Sequence, residues 1–204
     1  MEKKTLTIEQ EKVQELYNVL TNYPAISKEQ VIMEMNKCFG EKTFKPIDVT
    51  ERIKTFEDAC AELGEDHTYV RMFKDIYDKS EVAGANANRD VVTYLKLRII
   101  TAALNEGWEP QFTEEEWRYY PWYYLWTDEE LADKSEEWKR ERCLRPTGEY
   151  KTQYSGFAFA CSYNAPSLTH AHIGSRLCFK SDTLADYAGK QFIDLWMDFY
   201  LIRK

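Results

Sequence analysis

The sequence predicts an α+β domain, mostly helical, with a small and mainly antiparallel sheet of about three strands packed against the C-terminal helix and the helix starting at Arg89. Three observations point there. Helical-period apolar stretches with capping residues recur along most of the chain. Three short segments, Trp122 to Trp126, Gly156 to Tyr163 and Ser175 to Lys180, instead alternate with period two or concentrate aromatic rings. The stretch from Asp182 returns to helical spacing but carries Gly189 in its middle, which costs about 1 kcal/mol relative to Ala unless a neighbour comes close. The sheet is the expected neighbour.

The first helix is expected over Ile8 to Thr21, where Thr7 and Gln10 form a capping box and Val13, Leu16, Tyr17 and Leu20 share a face. Pro24 ends it. A second helix starts after Ser27, with Val31, Ile32, Met35, Cys38 and Phe39 on its apolar side and Gly40 at its close. Two short helices around a tight turn invite a helix-turn-helix reading. A DNA-reading helix wants basic and amide side chains at its start, however, and this one offers Lys28, Glu29 and Gln30. Glu41 to Ile47 reads as a connector, so residues 1–45 are expected as a helical N-terminal extension and 46–204 as the α+β main domain.

Asp48 and Glu51 cap the next helix, in which Ile53, Phe56, Ala59, Cys60 and Leu63 keep helical spacing up to Gly64. Asp66 starts a shorter one with Tyr69, Val70, Phe73, Ile76 and Tyr77 inward, and Ala83 to Asn88 is a small-residue loop. Arg89 to Glu106 is the most apolar helix and is apolar nearly all round, the mark of a central, buried element.

The segment from Gly107 to Trp126 is the most aromatic of the chain, with nine rings in twenty residues. Thr113 and Glu116 predict a single helical turn ending near Tyr120, since Pro121 disfavours helix in the residue before it. Trp122 to Trp126 then reads as a strand with Trp122, Tyr124 and Trp126 facing the core, and Tyr123 and Leu125 opposite, Tyr123 reaching water. Thr127 and Glu130 cap a surface helix that is acidic in its first turn and basic in its last. Leu144 to Ser155 is a loop.

In the second strand Phe157, Phe159, Cys161 and Tyr163 share the core face; in the third, Leu177 and Phe179 point inward and Arg176, Cys178 and Lys180 outward. The final helix runs from Asp182 with Leu184, Ala188, Phe192, Leu195, Phe199 and Ile202 as its stripe, thickened by Trp196.

A chain of 204 residues suits one domain with an extension and needs no staple. Its net charge of -8 and lack of a basic cluster disfavour nucleic acid as a partner. No run approaches the roughly twenty apolar residues of a membrane span. The opening MEKKTLTIEQEKVQ has no apolar core, so no signal peptide is expected. Five scattered cysteines (Cys38, Cys60, Cys143, Cys161 and Cys178) read as reduced thiols of a cytoplasmic protein.

The segments IKTFEDACAELGE (Ile53 to Glu65), YLKLRIITAALNEGWEPQFTEEEWRYYPWYYLWT (Tyr94 to Thr127) and GSRLCFKSDTLADYAGKQFIDLW (Gly174 to Trp196) resemble an uncharacterised protein family of bacteriophages and phage-derived regions of gut bacteria. The resemblance covers the last three quarters of the chain. It implies a small protein of a mobile element working in the host cytoplasm, and it brings no activity, ligand or catalytic residue.

No GxxxxGK[ST], GxGxxG, HExxH or GxSxG motif occurs, and the carboxylate runs at Glu114–Glu116 and Asp128–Glu130 sit where helix capping accounts for them. No catalytic residue and no cofactor are therefore expected. The weak metal candidates are His170 and His172, with Cys161 and Cys178 as conceivable co-ligands. Against them, alternation sends the two cysteines to opposite faces, and two exposed loop histidines are the plainer reading. The leading function is a non-enzymatic binding or assembly protein of a phage or mobile element, with a protein partner or a homo-oligomer. The alternative is an enzyme or small-ligand binder with a pocket walled by the aromatic segment 108–126. Both place binding at Trp108, Trp117, Tyr119, Tyr120 and Tyr123.

Overall fold

The computed structural model describes residues 9, 11–13, 15–16, 28–39, 48–83, 89–111, 113, 115–166 and 175–204. The chain divides into two compact units, Met1–Asp48 and Val49–Lys204. In the first, residues 11–13 and 15–16 are helical and α1 spans Lys28–Phe39. The Cys38 thiol reaches the Lys12 carbonyl at 3.6 Å. The expected cap at Thr7 and the turn at Pro24 lie outside the described residues.

The second unit holds α2 (Val49–Arg52), α3 (Phe56–Leu63), α4 (Thr68–Ala83), α5 (Arg89–Leu104), β1 (Trp117–Trp126), α6 (Asp128–Ala132) and α7 (Glu136–Glu141). It continues with β2 (Arg145–Pro146), β3 (Gly156–Pro166), a 3-10 turn (Ser175–Leu177), α8 (Asp182–Gln191) and α9 (Ile193–Tyr200). The sheet is antiparallel in the order β1-β3-β2. It packs on α8, and α5 lies beyond, against α3, α4 and α9. The fold is α+β, as its sequence predicts.

Local chemistry explains the breaks. Thr55 and Asp58 form a second capping box, so the helix expected from Asp48 to Leu63 divides into α2 and α3. Ser135 accepts a hydrogen bond from the Trp138 amide at 3.1 Å and starts α7 separately from α6. Phe192 leaves helical geometry with φ -113 and ψ 30, which splits the final helix into α8 and α9. That break turns Ile193, Trp196 and Met197 inward and leaves Ile202 exposed. As its all-round apolarity predicts, α5 is central, burying Leu95, Leu97, Ile99, Ile100, Ala103 and Leu104.

The sheet departs from expectation in three ways. First, β1 begins at Trp117, so Trp117 to Tyr120 is extended and no helical turn occupies it. Pro121 is tolerated because β1 is an edge strand. Tyr119 exchanges backbone hydrogen bonds with Phe179, pointing away from β3, and Pro121 two residues on has its missing N–H on that same open side.

Second, the third strand is β2, inside the expected loop, and Ser175 to Lys180 is not a ladder. Arg98 holds the Arg176 carbonyl, while Asn105 donates to the Cys178 carbonyl at 2.8 Å and accepts from the Lys180 amide at 3.1 Å. These bonds occupy the backbone groups a strand would offer, and one bridge to Tyr119 remains.

Third, the faces are exchanged. Trp122 pairs with Cys161 but Tyr123 pairs with Phe159, which leaves Ala160 as an extra residue on β3. On the helix side of this bulge Tyr123, Leu125, Phe157 and Phe159 face inward. Beyond it the parity of β3 reverses, and Cys161 and Tyr163 turn outward with Trp122 and Tyr124.

Gly189 makes the close approach that its position predicts. A Cβ there would lie 2.6 Å from the Pro121 Cβ and 2.7 Å from the Phe159 ring. The Tyr123 hydroxyl donates to the Gly189 carbonyl at 3.0 Å and ties the same spot. Sheet and helix meet there without room for a methyl group.

A charged latch closes the end of this unit. Tyr150 and Arg203 donate to one oxygen of Asp198 at 2.6 and 2.7 Å, Arg89 lies 3.5 Å from the other, and Arg203 also reaches Glu149 at 2.5 Å. Burial alone would raise the Asp198 carboxyl, but hydrogen bonds from Arg203 and Tyr150 and the charges of Arg203 and Arg89 outweigh it and hold the carboxyl below its ordinary range. A depressed pKa gives stability that is present above the unfolded value and lost as pH falls through the folded one. Urea melts of the wild type and Asp198→Asn should therefore differ fully above about pH 4 and converge below it. An equal gap at all pH values would contradict the latch.

Candidate functional site

A cavity of about 470 Å³ opens where α5 ends. Arg98, Thr101 and Ala102 of α5, with Asn105 just past its end, form the floor, since these positions recur at helical spacing. Leu63, His67 and Tyr69 wall one side, Arg176 and Cys178 the other, and Gly107 to Pro110 form the rim. The chain reverses after α5 through Glu106 at φ 50 and Gly107 at φ 85. Left-handed geometry suits Gly107 but strains Glu106, whose side chain is held by Arg52 at 2.6 Å and Lys180 at 3.2 Å. The reversal carries Trp108 back over the cavity, with its amide on the Asn105 carbonyl at 2.9 Å.

The polar groups on these walls converge. Arg98 stacks on the Tyr69 ring at 4.5 Å and donates to the Tyr69 hydroxyl at 2.8 Å. Arg98 Nε, Thr101 Oγ1 and His67 Nδ1 are buried without hydrogen-bond partners among the described residues. Cys178 is buried, and burial pushes its thiol up to about 11, with the Arg118 charge opposing; the thiol stays protonated at neutral pH and is no nucleophile.

The second feature is the outer face of the sheet. Trp122 is 38% exposed, Tyr124 55% and Tyr163 54%, although each is a large ring in a strand. Trp122 and Tyr163 lie 5.7 Å apart at 49°, and Tyr124 and Trp126 meet edge-on at 6.1 Å and 88°. At one end α6 and α7 cover the face, through Trp138 on Trp126 at 5.1 Å and Leu131 on Gly156. At the other end Tyr120 is buried with Cys178 and Trp108.

The five expected binding residues are therefore scattered. Trp108 lines the cavity, half-buried, and Trp117 is half exposed at the start of β1. Tyr119 packs on the main core and Tyr120 is 3% exposed. Tyr123 is half-buried against the core: its ring meets Phe157, Phe159, Trp196 and Tyr200, and burial pushes its hydroxyl well above the ordinary phenol range. It keeps partial exposure but faces the helix side rather than the open face, because β1 presents its odd-numbered residues to α8. Among the described residues of the segment 108–126, Trp108, Glu109 and Pro110 line the cavity and the others do not.

His170 and His172 lie outside the described residues. Their two conceivable co-ligands are placed opposite to expectation, Cys161 exposed beyond the bulge and Cys178 buried. Among the described residues no group of three or more metal-ligating side chains occurs. None of the five cysteines is in a disulfide. Thiol titration of the denatured, unreduced protein should count five, and a count of three would contradict the structure.

Sequence reasoning missed both features. Arg98, Thr101 and Asn105 did leave a signal, a polar stripe on an otherwise apolar helix. The outward turn of Tyr163 left none, since a bulge has no mark in these residues. The chain matches no protein-family model, no curated protein and no solved structure. Among the described residues, no helix is long and apolar enough to cross a membrane.

Proposed function

We propose that this chain is a non-enzymatic binding protein whose recognition surface is the outer face of the sheet, and that its partner is another protein. The exposure of Trp122, Tyr124 and Tyr163 together carries the reading, since Trp and Tyr are the side chains that anchor protein interfaces. The tilted rings present ridges for side chains to interdigitate, whereas stacking on a sugar or a base favours coplanar rings. The helices beside the face are acidic on their exposed sides, with Asp128, Glu129, Glu130, Asp133, Glu136 and Glu137. A partner with a basic rim around an apolar centre fits them. A second copy, also at net charge -8, would bring like charge against like. The resemblance to a phage-associated family supports a partner from phage or host, and five reduced cysteines support a cytoplasmic setting.

The test is a pull-down from infected or lysogenic cells with wild-type bait and a Trp122→Ala/Tyr124→Ala double variant of matched thermal stability. A basic protein held stoichiometrically by the wild type, in a salt-sensitive manner, and lost by the variant is the expected result. Equal retention by both baits would overturn the assignment of the face. Concentration-dependent dimerisation abolished by the double variant would instead make a second copy the occupant.

A further inference from the structure

The cavity at the end of α5 gathers positive charge in a chain that is acidic overall. Four other arginines of the same unit, Arg52, Arg89, Arg145 and Arg203, each pair with a carboxylate. Arg98 and Arg176 do not. Arg98 bonds to uncharged oxygens, the Tyr69 hydroxyl and the Arg176 carbonyl, and makes no ion pair among the described residues. The Arg176 side chain is exposed at the cavity wall and likewise makes none among the described residues. On the same walls Thr101, 2% exposed, keeps its hydroxyl without a partner among the described residues, and so does one nitrogen of His67. Polar atoms left unmatched among the described residues, beside two guanidinium groups that make no ion pair among them, call for an acceptor carrying negative charge.

We infer that this cavity binds a small oxyanion, carboxylate or phosphate, carried on a flat ring. The oxyanion lies in the fork of Arg98 and Arg176, whose planar donors match its geometry. The ring lies against the Trp108 indole, which the reversal at Gly107 holds over the cavity. The volume of about 470 Å³ fits one small molecule. Glu109 on the same rim disfavours a ligand with negative charge spread along its length, which excludes a nucleic-acid strand. The site is separate from the outer sheet face, so it stands or falls independently of the partner.

Calorimetric titration of the full chain with four probes tests this. Adenosine monophosphate carries phosphate and ring, salicylate carries carboxylate and ring, and inorganic phosphate and adenosine each carry half. At least one of the first two should bind with Kd below about 1 mM, and the one that binds identifies the oxyanion. The half-probes should bind about tenfold or more weakly by comparison. Arg176→Ala, at an exposed position, should leave the melting temperature unchanged and weaken the bound probe about tenfold, with Arg176→Lys recovering only part because it keeps the charge and loses the fork. Trp108→Ala should weaken the ring-bearing probe and leave inorganic phosphate unaffected. No binding by either complete probe, or binding unchanged in Arg176→Ala, would overturn the site. Inorganic phosphate binding as tightly as adenosine monophosphate would overturn the ring.

Discussion

Tyr123→Ala should destabilise the second unit by about 3–5 kcal/mol, while Trp122→Ala, one residue earlier on the same strand, should cost no more than about 1. Tyr123 fills the space between Phe157 at 4.5 Å and Trp196 at 6.2 Å, and its hydroxyl donates to Gly189. Truncation opens a cavity and also strands a carbonyl at the tightest point between sheet and helix. A loss on this scale is a large part of the roughly 5–15 kcal/mol that holds a domain together, so the variant should melt far earlier. Tyr123→Phe separates the two contributions, because it keeps the volume and should lose only about 1 kcal/mol. Urea melts of the three variants provide the comparison.

Trp196→Ala should cost a similar ~3–5 kcal/mol, for a related reason. Its indole is 1% exposed, stacks on Tyr200 at 6.1 Å, meets Phe199 edge-on and donates to the Ala188 carbonyl at 3.3 Å. That last bond crosses the break at Phe192 and ties α9 back to α8. Removing the ring should loosen the joint between the two helices as well as leave a void. Because Trp196 and Tyr123 share a contact, the double variant should lose less than the sum of the single losses. Strict additivity would show that the two rings belong to separate cores.

How much of the fold was legible depends on the range of the forces involved. Caps and apolar periods are local, so the central α5 and the Thr127 box could be read from neighbouring residues alone. Gly189 was legible because an unfavourable residue in mid-helix asks for a steric reason. The inward face of β1 was not. Trp122 to Trp126 is aromatic on both sides, so periodicity gives no phase, and the bulge at Ala160 arises from pairing with a distant strand. Ser175 to Lys180 failed similarly, because alternation favours a strand and the side chains of Arg98 on α5 and of Asn105 just after it divert its backbone. The cavity was missed: Arg98 and Thr101 on α5 and Asn105 just after it leave a polar trace, but their neighbours across the space come from elsewhere in the chain.

The direct measurement is hydroxyl-radical footprinting of the isolated native protein, read residue by residue by mass spectrometry. It reports both faces of β1 in one experiment, without mutation and without knowledge of the partner. Trp122, Tyr124 and Tyr163 should oxidise promptly, Tyr120 and Tyr123 should be protected, and adding the partner should protect the first three. Prompt oxidation of Tyr123 together with protection of Trp122 in the isolated chain would contradict the exposed outer face and the partner surface built on it.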